Sequence, residues 1–514
     1  MMTIHRRAFL RLTLGSVCVG VATDCSERIA DPAFVLEEAS IDVVQQAMTD
    51  GVLTARSLCE QYLQRVATLN PTLHALIETN PDALAIAEEL DRERRTHGSR
   101  GLLHGIPLVV KDNIETADRM QTTAGSKALE GVPASKDAFV IERLRAAGVI
   151  LLGKANLTEW AGGGGRNGYS TRGGQTRNPY DPQRTPLGSS SGSGVAASAN
   201  LAVAGLGTET MGSILAPSAL LGVVGLKPTV GLVSRTGVVP VALSMDTVGP
   251  MTRNVTDAAH LLNVLAAPDP EDIATSTRPA AVDYIKALVP DLKGIRIGIA
   301  HESSGGEASR GLFERAIDDL RRLGAILVDG VTLPDVSESW FADHLEVMFT
   351  EFKAQLPLYL ADRRSRATVR TLADVIEVSK RDGVDLPPME LAQQKGDISG
   401  ASYQRALAHI RQISRGDGID AAVRAHRLDA LVSPAMGPAW TFAEEEKLDV
   451  FLPRWMLLTS DAGYPAVTLP MGYVNGLPVG ILLFGTAWSE AVLLRCAYAY
   501  EQATHHRTPP TPRV

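Results

Sequence analysis

The sequence predicts an α/β fold, and three observations carry that prediction. An apolar strand–helix–strand unit spans 106–152, a second spans 295–328, and a strand pair closes on Asn475-Gly476. Ile106 to Val110 is a continuous apolar run, the mark of a strand covered on both faces. Asp137 to Ala147 sets Val140, Leu144 and Ala147 on one helical face, and Gly148 is placed to end the helix. Val149 to Leu152 then reads as a second buried strand. The pattern resumes with a strand at Ile295–Ala300 and a helix at Arg310–Leu323, with Phe313, Ile317, Leu320 and Leu323 in register. A strand at Ile326–Val328 completes it. Ala466–Met471 and Val479–Phe484 flank Asn-Gly, a strong hairpin signal.

The remaining elements follow in chain order. Residues from Ala33 to Arg95 read as helical. Ser40 stands at a capped start, Leu58, Tyr62, Val66 and Leu69 recur at helical spacing, and Ala83–Arg94 forms a further run. Ala161–Pro179 is rich in Gly, Arg and Asn and reads as irregular. Two small-residue loops, Gly188–Gly194 and Gly207–Ser213, flank an apolar run from Val195 to Leu206. Gly225–Thr229 and Asp246–Met251 read as ordered loops. Asp257–Ala266 reads as a helix with Thr256 as its cap. Ala267–Pro279 reads as a surface connection and Trp340–Ile410 as a mostly helical lid or insertion. Leu428–Val432 reads as a strand and Ser489–Thr504 as the closing helix. No internal repeat at a fixed period is present.

Length and composition narrow the class. The 514 residues are 45% hydrophobic and 21% charged, ordinary for a globular protein with a sizeable core. The net charge of −8 argues against a nucleic-acid partner, which wants a basic face. The first thirty residues stand apart. Arg6-Arg7-Ala8-Phe9-Leu10 followed by a modest apolar run through Val21 reads as a twin-arginine export signal over 1–30, pointing to the periplasm. The run is too short for stable membrane insertion. Cys18 and Cys25 follow Val17 and Asp24, where a lipid-anchored protein wants a small residue, so anchoring is the weaker reading. Removal of the signal leaves Cys59 and Cys496, which are far apart in sequence and support neither a disulfide framework nor a zinc site.

Two motifs invite misreading. Gly148-x-x-x-x-Gly153-Lys154 resembles a phosphate loop, but Ala155 replaces the hydroxyl that would hold Mg²⁺. Gly188-Ser189-Ser190-Ser191-Gly192 matches G-x-S-x-G around Ser190. An Arg/Pro-rich loop precedes it instead of a strand, and the late histidines His426, His505 and His506 have no distinctive setting. A flexible linker is also excluded, because helix-compatible apolar sequence follows at once. Hydroxyls on two glycine-rich loops, with backbone N–H groups able to cradle an oxyanion, are what acyl transfer needs.

Five ordered motifs identify a resemblance. They are Gly105–Asn113 (GIPLVVKDN), Leu187–Ser193 (LGSSSGS), Gly207–Ile214 (GTETMGSI), Gly222–Thr229 (GVVGLKPT) and Ala462–Ala466 (AGYPA). Together they make the chain similar to the amidase signature family of serine hydrolases from about Leu36 to the C-terminal helix. The stretch Arg172–Tyr180 and both loops look most like the peptide amidase branch, whose members release ammonia from C-terminal carboxamides. The resemblance implies a single amidase domain over 33–510, with a central mixed β-sheet covered by helices on both faces. Position by position, Ser213 resembles the nucleophile, Ser189 the bridging serine and Lys111 the base. The backbone N–H groups of Thr210, Met211, Gly212 and Ser213 would form the oxyanion hole. The 24-residue interval between the two serines fits the family spacing.

The implied chemistry is coherent by itself. A free lysine is protonated at neutral pH, but burial at a strand end would lower its pKa. Neutral Lys111 would take a proton from Ser189, which takes one from Ser213. Ser213 attacks the amide carbonyl, and water later cleaves the acyl-enzyme. No cofactor and no metal is required. Leu187, Ser191 and Met211 stand where the family usually has Gly, and Glu209 where it has Asp. Met211 need not abolish main-chain donors, and its side chain would reshape the acyl pocket. The expected substrate is a small-molecule or peptide amide; the oligomeric state is left open. Two alternatives differ in class. One is the glutaminase subunit of a tRNA-dependent amidotransferase, against which the signal-like N-terminus speaks. The other is a non-catalytic binding protein on the same scaffold, against which the joint retention of Lys111, Ser189 and Ser213 speaks.

Overall fold

The computed structural model describes residues 34–162, 166–301, 306–363, 367–445 and 453–511. The export-signal reading over 1–30 lies outside the described residues. The first part of the chain forms α1 (Ile41–Thr49), α2 (Ala55–Leu73), β1 (Leu76–Thr79), α3 (Ala83–His97), β2 (Pro107–Lys111), α4 (Phe139–Ala146) and β3 (Ile150–Ala155). A short ribbon, β4 (Tyr169–Ser170) and β5 (Gly174–Gln175), precedes α5 (Ser191–Ser198), β6 (Ala204–Glu209), α6 (Leu215–Leu220), β7 (Val224–Lys227), β8 (Thr247–Thr252) and α7 (Val255–Leu265). Next come β9 (Arg296–Ile299), α8 (Gly306–Arg322), β10 (Ile326–Val328), α9 (Glu338–Arg363), α10 (Leu372–Arg381), α11 (Pro387–Gln393), α12 (Ala401–Arg411) and α13 (Asp420–His426). The chain ends with β11 (Ala430–Pro434), α14 (Phe442–Glu445), α15 (Arg454–Ala462), β12 (Ala466–Val474), β13 (Leu477–Phe484) and α16 (Glu490–Thr504).

Eleven strands form one mixed sheet in the order β1-β3-β2-β6-β8-β7-β12-β13-β11-β9-β10. β3, β2 and β6 run parallel, as do β11, β9 and β10, and antiparallel strands join the two parallel sets. Helices flank the sheet in two groups: α5 touches α6, while α4, α7, α16 and α8 make a separate run of contacts. The apolar strands expected at 106–110, 149–152, 295–300, 326–328 and 428–432 are therefore all present, as are the hairpin and the closing helix.

Several expectations need correction. The two segments read as ordered loops are the central strands β7 and β8. Pro and Gly normally punctuate strands, yet Gly249 lets the backbones close: a Cβ there would lie 2.0 Å from Leu226 O. β1 interrupts the stretch read as helical. His74 ends α2 in the left-handed region, and the Asn70 side chain holds both polar groups of Leu76. The cap of α7 is Asn254, which accepts from the Asp257 amide at 2.7 Å; Thr256 lies inside the helix. The helix after the first glycine-rich loop begins at Ser191, inside that loop, and the second loop is strand through Glu209. The 267–279 connection runs along the surface as expected, and buried side chains anchor it. Buried Asp272 pairs with buried Arg235 at 2.5 Å, and Asp269 accepts from Ser234 Oγ at 2.5 Å.

Candidate active site

The parallel strands β3, β2 and β6 end on one edge of the sheet, the edge where open α/β sheets place their sites. Lys111 is the last residue of β2 and is fully buried. Its Nζ lies 2.7 Å from Ser189 Oγ, 2.8 Å from Thr208 Oγ1 and 3.2 Å from the Thr208 carbonyl oxygen. Burial lowers the Lys111 pKa to about 7, against the opposing pull of the Asp246 and Glu209 carboxylates. An amine with that pKa is half neutral near pH 7 and able to accept a proton.

Ser189 lies on the loop entering α5. A Cβ at Gly192 would fall 2.2 Å from Ala75 O and 2.4 Å from Asn156 N, so only glycine allows the helix to start this deep in the fold. The Ser189 carbonyl accepts from Thr158 N, and Ser190 N donates to the Ser213 carbonyl at 3.1 Å. That last bond ties the two serine loops together. Ser190 itself faces away from solvent: its Oγ donates to Thr208 O and accepts from Thr208 N. The G-x-S-x-G serine is thus a clamp on β6.

Glu209 grips the start of α6. Its Oε2 accepts from Ile214 N at 2.7 Å and Leu215 N at 2.9 Å, satisfying two orphan amides just past Ser213. Burial pushes this carboxyl up, while the charge of Lys227 and the amides of Leu215, Ile214 and Gly212 pull it down. The longer Glu where the family has Asp therefore still holds the loop. Lys227 is buried too and donates to the Thr459 and Tyr464 carbonyls. Thr210 Oγ1 donates to Asp246, which also takes the amides of Val241 and Ala242.

Ser189 and Ser213, 4% and 7% exposed, open onto one cavity of about 220 Å³. Thr210, Met211 and Gly212 line it as well, so every expected site residue except Lys111 reaches the wall, and Lys111 sits behind Ser189. The far wall is apolar. Met348, Phe349 and Phe352 come from α9, Pro388 and Met389 from α11, Met456 from α15, and Trp160 closes one side. The helical segment read as a lid or insertion is thus a wall of this cavity. Its anchor is a buried network in which Asp461 accepts from Trp340 Nε1 at 2.7 Å and bonds His344 Nδ1 at 2.6 Å. The phosphate-loop reading of Lys154 fails on placement: it lies in β3, fully buried, and donates to Ile114 O and Thr122 Oγ1. Sequence reasoning missed Thr208 and Asn113, whose side chains meet at 3.0 Å beside Lys111. The available signal is alternation along β6, which puts Leu206 and Thr208 on one side of the strand.

The sequence matches the family model for amidases over residues 57–494. The chain belongs to the amidase family. This amidase is thereby a hydrolase of amide C–N bonds. It is 46% identical to a peptide amidase solved with the competitive inhibitor chymostatin, with a TM-score of 0.89, covering 93% of this chain and 100% of that one. It is 45% identical to the native peptide amidase of Stenotrophomonas maltophilia, with a TM-score of 0.88, covering 93% of this chain and 99% of that one. Among curated relatives, a probable amidase of Arabidopsis thaliana is 39% identical, over 93% of this chain and 92% of its own length. A glutamyl-tRNA(Gln) amidotransferase subunit of Chloroflexus aurantiacus is 37% identical, over 92% and 98%.

Proposed function

We propose that this amidase cleaves primary carboxamides through Ser213, Ser189 and Lys111, with C-terminally amidated peptides as substrates and ammonia as product. The observation that carries the reading is the 2.7 Å contact between buried Lys111 Nζ and Ser189 Oγ, with Ser189 and Ser213 on one cavity wall. Neutral Lys111 removes the Ser189 proton, Ser189 removes that of Ser213, and Ser213 Oγ bonds the amide carbon. The amides of Thr210, Met211, Gly212 and Ser213 receive the oxyanion; that of Gly212 also faces Glu209. Ser189 returns a proton to the leaving nitrogen, ammonia departs, and water repeats the relay on the acyl-enzyme.

The cavity wall favours a peptide amide over free glutamine. Among its described lining residues none is charged, and five are methionines. Glutamine brings an ammonium and a carboxylate within a few bonds of its reacting amide, and burying either without a partner costs several kcal/mol. A peptide amide brings neither. Ammonia release across a panel of amidated peptides, simple amides and free glutamine tests the reading. Glutamine as the best substrate would replace it with the glutaminase function, and no turnover of any amide would favour the binding-protein alternative.

We further propose export by the twin-arginine route, on the strength of Arg6-Arg7 and the apolar run behind them. Replacing both arginines by lysine should trap the protein inside the cell. Unchanged export would reject the twin-arginine route, and a lipid on Cys18 or Cys25 would reject the unanchored reading.

A further inference from the structure

We propose that Thr208 points the lone pair of neutral Lys111 at Ser189 by accepting both N–H bonds of the amine. The inference rests on the Ser-Ser-Lys reading above. A neutral amine has two N–H groups and one lone pair. Lys111 Nζ has three oxygen neighbours: Ser189 Oγ at 2.7 Å, Thr208 Oγ1 at 2.8 Å and Thr208 O at 3.2 Å. A carbonyl oxygen only accepts, so Thr208 O takes one N–H. If Thr208 Oγ1 donated to Nζ it would consume the lone pair, and Lys111 would then donate to Ser189, the wrong direction for a base. Thr208 Oγ1 must therefore take the second N–H.

The surroundings of Thr208 enforce this role. Asn113 Nδ2 lies 3.0 Å from the same Oγ1. Whichever face of that amide is turned to Thr208, Oγ1 keeps a lone pair for Lys111. Ser190 pins the Thr208 backbone from the other side, donating to its carbonyl at 2.9 Å and accepting from its amide at 3.2 Å. The charged groups that face Lys111 are Glu209, next along β6, and Asp246, just before β8. Each is held by its own donors, Glu209 by Ile214 N and Leu215 N, Asp246 by Thr210, Val241 and Ala242. Among the described residues, Nζ has no hydrogen-bond partner besides Ser189 and Thr208. Thr208 is buried and absent from the cavity wall, so it acts through Lys111 and not on substrate.

The test compares Thr208→Val, which keeps the branched shape and loses Oγ1, with Thr208→Ser, which keeps the hydroxyl. The readout is kcat/KM against pH for an amidated peptide. The valine variant should show a plateau about 10- to 100-fold lower, a fraction of what a well-placed general base contributes. Its acid limb should move to lower pH, because the ammonium form loses an acceptor. Thr208→Ser should restore both. An unchanged plateau, or a lower plateau with an unmoved limb that serine does not restore, overturns the proposal. If Thr208→Val fails to fold by its melting curve, Thr208→Ala against Thr208→Ser carries the same comparison. A serine-directed fluorophosphonate should still label Ser213 in each folded variant, more slowly only where the Thr208 hydroxyl is lost. Absence of that label from the unmodified enzyme would strike at the Ser-Ser-Lys reading and not at Thr208.

Discussion

In the proposed relay Lys111 pays for its role with stability. It is charged in the unfolded chain at neutral pH and loses its water on folding, so burial lowers its pKa from 10.5 to about 7. The folded state then binds fewer protons than the unfolded state between those values. The penalty is full below about pH 7 and vanishes as pH rises through the unfolded value. At about 1.4 kcal/mol per pH unit it amounts to several kcal/mol. Lys111→Met should therefore raise the melting temperature near neutral pH while abolishing turnover; a lower melting temperature would show that the amine stabilises the fold. Ser213→Ala should fold normally and lose nearly all hydrolysis, checked by ammonia release. Lys111, Ser189 and Ser213 are legible in the sequence because each lies in a short motif with a chemical reason behind it. Thr208 and Asn113 are not, because their contact spans 95 positions and is created by strands β2 and β6 lying side by side.

At the scale of elements, the site is a register. β2 and β6 pair in parallel with Val110 opposite Leu206, which brings Lys111 level with the end of β6. The Ser190–Ser213 backbone bond then fixes the two loops to each other. α9 and α11 contribute the apolar wall, and Met348 lies two helical turns inward from the Trp340 anchor. Met348 is only partly buried, so Met348→Lys should fold. It should cut the preference for a large apolar acyl group over a small one by at least about tenfold, the value of one to two buried methylenes in a tight pocket. The ratio of kcat/KM for leucine and glycine amides of one peptide measures this; an unchanged ratio would remove the wall from substrate choice. The sequence concealed β7 and β8 because Pro228, Gly249 and Pro250 look like turn residues, and their pairing is long-range.

Among the described residues, the eleven-stranded sheet is mixed, and antiparallel strands join its two parallel sets. The local strand–helix–strand units revealed the parallel sets, whereas nothing local specifies the antiparallel centre. The apolar wall recruits a helical segment more than a hundred residues from the serines, and only the fold discloses that. No helix among the described residues is long and apolar enough to cross a membrane. A relay that draws its base from a buried amine has no need of a Lewis acid, so prolonged incubation with a chelator should leave the rate unchanged. Loss of activity restored by a divalent cation would place a metal in the reaction.

The rate at which a fluorophosphonate labels Ser213 as a function of pH tests the account most directly, since it reads nucleophile activation without substrate binding or product release. Labelling should rise through about pH 7, where Lys111 becomes neutral, and fall to the background rate in Lys111→Ala and in Ser189→Ala. Labelling at another residue, or a rate independent of pH and of Lys111, would contradict it.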